Sequence, residues 1–130
     1  MPKALVILLT ALLAGCGQPK QQLNIFIWSE YIDPKIVADF EKQFHCKVSI
    51  DLYEDPESML AKLAAGGVSI YDIVVPSNRT LPVMVKRGLV APLRHENIPN
   101  LRNIDPRFSN PSFNPSNQFG VPAAANQSNN

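Results

Sequence analysis

Ile25-Phe26-Ile27-Trp28-Ser29-Glu30-Tyr31 sets an apolar, β-branched and aromatic run against a hydroxyl, a carboxylate and a second aromatic ring, just ahead of a helix-start signal. The run reads as a buried strand whose carboxyl end carries groups suited to a ligand. Tyr71-Asp72-Ile73-Val74-Val75-Pro76-Ser77 is a second apolar run that also ends in a hydroxyl residue. Two such ends can share one pocket.

Outward from these runs, strand and helix signals alternate between Leu23 and Leu93. Asn24 to Trp28 forms the first predicted strand. Asp33-Pro34 supplies an N-cap followed by proline at the first helical position, and Ile36, Val37, Phe40 and Phe44 fall on one face of the helix it opens. That face calls for a sheet to cover. Lys47 to Tyr53 alternates Val48, Ile50 and Leu52 with polar neighbours, after which Asp55-Pro56 repeats the cap-and-proline signal. Glu54 and Asp55 are both read as capping residues. The second helix turns Met59, Leu60, Leu63 and Ala64 inward and stops at Gly66-Gly67. Ile70 to Val75, continuous and apolar up to Pro76, predicts a strand buried on both faces. A third helix is expected over Leu81 to Arg87, halted by Gly88, with Leu89 to Leu93 adding a short extended piece.

Strands and helices in this alternation build a parallel sheet through right-handed crossovers, so the fold class is α/β with helices on both faces. Ligands of open sheets sit outside the carboxyl ends of the strands, where the winding direction reverses. In the order second, first, third strand, the reversal falls between the first and third. Trp28 to Tyr31 then faces Pro76-Ser77 across one crevice.

The first fifteen residues stand apart from the fold. Lys3 gives a positive start, Ala4 to Leu13 is an apolar stretch of signal-peptide length, and Leu13-Ala14-Gly15-Cys16 places small residues before a cysteine. The stretch is too short for the roughly 20 residues of a membrane-spanning helix. The pattern resembles a bacterial lipobox, which implies cleavage before Cys16 and acylation of the new N-terminus. More than one acyl chain makes such an anchor stable. Residues 1–15 are thus expected to be a lipoprotein signal peptide, and 16–22 the lipidated cysteine and a polar tether.

The remaining residues, about 115, suffice for one small core. The net charge is +1, with both signs scattered along the chain, which argues against nucleic acid as a partner. Cys46 is then the single remaining cysteine, so no intramolecular disulfide is expected, and it reads as a small core residue. Its neighbour His45 does not make it a nucleophile, because adjacent side chains diverge in helix and strand alike. His95 has no cysteine or histidine at zinc-ligand spacing. No phosphate-cradling glycine loop occurs. The expectation is a chain without catalytic residues, cofactor or metal.

The residues also carry a family resemblance. Trp28-Ser29-Glu30-Tyr31, the Ile36 to Phe44 helix, Tyr53-Glu54 ahead of Glu57-Ser58-Met59-Leu60-Ala61-Lys62-Leu63, Tyr71 to Ser77, and Phe119-Gly120-Val121-Pro122 resemble, in order, the first lobe of bacterial spermidine/putrescine-binding proteins. The resemblance covers Asn24 to Pro122. It implies a type II periplasmic-binding-protein lobe, residues 23–122, belonging to the extracytoplasmic receptor of an ABC importer. A polyamine would be its ligand and an ABC permease its partner. It further implies that Trp28 and Tyr31 contribute to an aromatic box, with Ser29 and Ser77 as polar contacts. The residue types suit that role. Ring faces cover a methylene stem and attract each ammonium by about 0.5 to 2 kcal/mol, while hydroxyls accept its N–H donors.

Two departures from the family pattern stand out. Arg79, two residues after Ser77, is a fixed cation near a cation pocket. After Pro122, where the family continues into a second lobe bearing the decisive carboxylates, residues 123–130 are small and polar and are expected to form a disordered tail. Pro106 to Pro122 likewise reads as an extended segment in want of a docking partner. The chain is thus expected to be an incomplete lobe that binds polyamines poorly alone. Alternatives are a lobe for another small ligand, or a lipoprotein fragment that binds no ligand and acts as an interaction module.

Overall fold

The computed structural model describes residues 21–123. The expected signal peptide, Cys16, all but the end of the expected tether, and the expected tail beyond Ala123 lie outside the described residues. Three parallel strands form one sheet in the order β2-β1-β3, where β1 is Gln22–Trp28, β2 Lys47–Tyr53 and β3 Ile73–Val74. Helix α1 (Pro34–Phe44) connects β1 to β2. Helix α2 (Pro56–Ala64) and a 3-10 turn at Gly67–Ser69 connect β2 to β3, and α3 (Leu81–Lys86) follows. With this order the winding reverses between β1 and β3.

The caps are those read from the sequence. Asp33 precedes Pro34 and its carboxylate accepts from the Lys35 amide at 2.8 Å, while Asp55 precedes Pro56 and accepts from the Ser58 amide at 2.7 Å. Glu54 takes no part in capping. Both glycines after α2 are required by backbone geometry. Gly66 has a φ of 108°, and a Cβ on buried Gly67 would stand 2.6 Å from the Lys62 carbonyl oxygen.

Because side chains alternate across a strand, β1 presents Phe26 and Trp28 to one face of the sheet and Ile25 and Ile27 to the other. The core lies on the first face. Phe26, Tyr53, Met59, Leu63 and Met84 form one buried cluster, with Trp28, Leu60, Tyr71, Val74, Leu89 and Val90 packed at its margin. Both α2 and α3 contribute to it. On the opposite face α1 is alone among the described residues, and none of its side chains is buried. Val37 is half-buried, but Ile36 and Phe44 remain 62% and 56% exposed. The expected inward row of β2 shares this fate, running from buried Val48 to exposed Leu52, because two helices cover one face and a single helix the other.

Other expectations are corrected. β3 pairs over two residues only, with Ile73 opposite Ile25 and Val74 opposite Phe26, and Ile70 and Ile73 are exposed. Its bonding reaches a little further, through the Asp72 amide to the Asn24 carbonyl and the Val75 amide to the Phe26 carbonyl, both at 2.9 Å. As an edge strand, β3 is not buried on both faces. Leu89 to Leu93 is irregular; Leu89 and Val90 pack at the core margin, and the Leu93 amide lies 2.7 Å from the Gln118 carbonyl.

Pro106 to Pro122 is not extended but folds into 3-10 turns at Pro106–Phe108 and Pro115–Asn117. Two buried asparagines organise it. The Asn114 amide donates to the Gly120 carbonyl and its oxygen accepts from the Phe119 amide, while Asn117 donates to the Phe108 carbonyl. Gly120 lies against Leu81 of α3, so the segment is docked. Side-chain hydrogen bonds replace the regular pairing that so proline-rich a stretch cannot make.

Cys46 is buried, while His45 is exposed in the left-handed conformation that ends α1 (φ 52°). His95 lies 3.1 Å, through Nε2, from the Asn117 carbonyl oxygen.

Candidate functional site

The register of β1 against β2 builds the site. Trp28 stands opposite Tyr53 at the last rung of the ladder, on the same face of the sheet. Their rings stack with centroids 5.0 Å apart and planes at 27°. Tyr53 also meets Phe26 edge-on at 5.2 Å, and Phe26 in turn stacks on Tyr71 at 4.6 Å. A continuous aromatic file therefore runs from the core to the carboxyl ends of the strands. Pairs of this geometry contribute about 0.5 to 1.5 kcal/mol each beyond the area they bury.

The Tyr53 hydroxyl donates to the Val75 carbonyl, one residue past β3. One side chain thus joins the ends of all three strands. Burial pushes its phenol above the usual tyrosine range, and the nearby phenol of Tyr31 adds to the rise. Tyr31 itself is 48% exposed, a ring at the rim. Ser29 donates to the Glu54 carboxylate at 3.2 Å, so the residue expected to cap α2 instead brings an acid to the rim beside Ser29. Glu30 occupies the left-handed region (φ 59°). For a residue with a Cβ this costs of order 1 kcal/mol, a strain typical of turns that carry binding groups.

Trp28 and Glu30 also line a groove of about 450 Å³ with Ile32, Pro34, Val37, Ile50 and Leu52, open between α1 and β2. The groove is apolar apart from the Glu30 carboxylate. Ser77 lies elsewhere. It is 2.8 Å from the Thr80 hydroxyl, accepts from the Thr80 amide at 3.3 Å, and its carbonyl accepts from the Leu81 amide, so it shapes the entry to α3. Its link to the aromatic rim runs through Pro76 and Val75 to Tyr53. Arg79 is exposed in the turn after Ser77.

Of the four candidate ligand positions, Trp28, Ser29 and Tyr31 come together around Tyr53 and Glu54, whereas Ser77 lies apart, connected to them through Pro76, Val75 and the Tyr53 hydroxyl. The sequence reading did not single out Tyr53 for the site. Its signal was its place at the last rung of a strand paired in register with Trp28.

No protein-family model matches the chain. Among curated proteins, the spermidine/putrescine-binding periplasmic protein of Salmonella typhimurium is 33% identical over 109 residues, covering 84% of this chain and 31% of its own length. Among solved structures, the spermidine/putrescine ABC transporter substrate-binding protein PotD of Streptococcus pneumoniae has a TM-score of 0.75 at 35% identity, over 79% of this chain and 32% of that one. The TpPotD lipoprotein of Treponema pallidum has a TM-score of 0.73 at 29% identity, over 80% and 33%. Strand order and these likenesses define the fold class, an α/β lobe of the kind found in ABC-transporter substrate-binding proteins. Within that class the chain is similar to the spermidine/putrescine-binding periplasmic proteins and spans about a third of the length of the curated relatives it matches.

Proposed function

We propose that the chain supplies one wall of an extracytoplasmic polyamine receptor, held to a membrane through acylated Cys16 and delivering its ligand to an ABC permease. It is a binding component and not an enzyme. The observation that carries this reading is the file of aromatic rings ending in Trp28 at the carboxyl ends of parallel strands, with the Tyr31 phenol near Tyr53 and the Glu54 carboxylate beside Ser29. Flat rings and an acid at a rim suit a chain of methylenes punctuated by ammonium groups. The names of the relatives support a polyamine, and the description of the Treponema protein as a lipoprotein supports the anchor.

One wall binds weakly. Two cation–π contacts and a couple of hydrogen bonds provide roughly 4 to 6 kcal/mol gross. Association itself costs about 4 kcal/mol or more. Micromolar affinity needs about 8 kcal/mol net, so residues 21–123 alone should bind spermidine or putrescine no tighter than about millimolar.

Calorimetry tests the reading. The lobe alone should give no measurable heat of binding, whereas fusion of a second lobe from a related receptor after Pro122 should restore affinity. In that fusion Trp28→Ala should weaken binding by about 1 to 3 kcal/mol. Tight binding by the unfused lobe would overturn the one-wall reading. A folded fusion that ignores polyamines would favour a different ligand, for which exposed Arg79 is the nearest fixed cation along the chain from Ser77.

A further inference from the structure

Trp28 is the chain's one tryptophan, and one face of its indole is already occupied by the ring of Tyr53. Tyr53 is 4% exposed and therefore has no surface with which to hold a ligand itself. Three connections meet in its side chain. Its ring backs Trp28 at 5.0 Å, the edge contact with Phe26 roots it in the core, and its hydroxyl holds the Val75 carbonyl two residues before Ser77. Nothing in capping or strand pairing requires these bonds to converge on one residue. Their shared effect is to fix an indole at the end of β1 relative to a loop that leaves β3.

We propose that Tyr53 is the positioning residue of the aromatic wall, holding Trp28 with a single free face for a cationic ligand and locking the Val75-Pro76-Ser77 turn at a set distance from it. This rests on the polyamine reading for the nature of the ligand, but the positioning does not. The ring and the hydroxyl have separable duties. The ring orients Trp28, and the hydroxyl orients the turn. Pre-organisation of this kind lowers the ordering cost that a ligand would otherwise meet on binding.

Since Trp28 is the sole indole, its fluorescence reports on the ring contact without any ligand. In the full chain, Tyr53→Leu should raise acrylamide quenching of Trp28 by about twofold or more and lower its anisotropy, as expected for a side chain released from packing. Leu63→Ala, a cavity in the same core but away from Trp28, should destabilise the lobe while leaving the quenching of the folded state unchanged. Tyr53→Phe keeps the ring and folds under the mildest change. It should leave Trp28 quenching at the wild-type level, yet speed hydrogen exchange of the Thr80 and Leu81 amides, both bonded to Ser77, by about tenfold. Wild-type quenching in Tyr53→Leu, or wild-type exchange in Tyr53→Phe, would overturn the corresponding half of the proposal. If Tyr53→Leu fails to fold, Tyr53→Ile and Tyr53→Met replace it, and unchanged quenching in a folded one of these overturns the ring's role. A polyamine titration of the two-lobe fusion then separates this claim from the ligand assignment. Tyr53→Phe binding several-fold more weakly supports positioning, whereas a wild-type fusion that binds no polyamine sinks the ligand reading and leaves the fluorescence result standing.

Discussion

Ionisation of the Tyr53 phenol must both charge a buried group and remove the proton that it donates to Val75. Its folded-state pKa therefore lies above the unfolded value, raised first by burial and then by Tyr31. A group raised in this sense stabilises the fold fully below the unfolded pKa, about 10, and that stability is lost as the pH climbs through the folded value. Denaturant unfolding at pH 8 and at pH 11 should show the loss, and Tyr53→Phe should reduce the difference between the two. At the acid end Asp51 behaves in the opposite sense. The Tyr71 hydroxyl and the Lys62 ammonium hold its carboxyl below the usual range, so its contribution is present at neutral pH and fades in acid. Trp28, Ser29 and Tyr31 were legible as candidate ligand positions, through the family resemblance and their place at a strand end. Tyr53 was not, since a tyrosine closing a strand reads the same whether it faces a neighbouring ring or the solvent.

Elements were read well where a local signal has one physical meaning. Asp-Pro twice opened a helix, since the carboxylate takes an orphan amide and proline needs no donor at the first turn. Gly66-Gly67 ended α2, but as more than a stop. Gly67→Ala should cost about 1 to 3 kcal/mol, because its Cβ would meet the rigid Lys62 backbone, and a lowered urea midpoint with an unchanged slope would register it. Gly88→Ala, with open space around it, should cost only the strain of its φ of 66°. Elements were misread where neighbours decide. Ile70 to Val75 is apolar enough for a central strand, yet it lies at the edge with two paired residues. Glu54 sits next to a capping aspartate, and only the approach of Ser29 from β1 gives its carboxylate another partner.

For the whole molecule, the proposed location rests on a segment outside the described residues. Leu13-Ala14-Gly15-Cys16 is the basis for the proposed anchor, so Cys16→Ser should move the protein from the membrane fraction to the soluble one after osmotic release. A Cys16→Ser protein that remains processed and membrane-bound would refute the lipid anchor. The lobe itself owes its class to the sequence: the alternation of period-two and helical patterns, punctuated by Pro and Gly, permits little besides a parallel α/β sheet, since each βα unit must bury one face of a helix. The order β2-β1-β3 is one that right-handed crossovers allow, and the pairing in the fold selects it. Tertiary structure alone decided which face of the sheet holds the core, that α1 lies largely exposed, that the Pro106 to Pro122 stretch docks through Asn114 and Asn117, and that Tyr53 ties three strand ends together. Each depends on which groups meet across tens of residues, whereas local sequence records only the preferences each brings to that meeting.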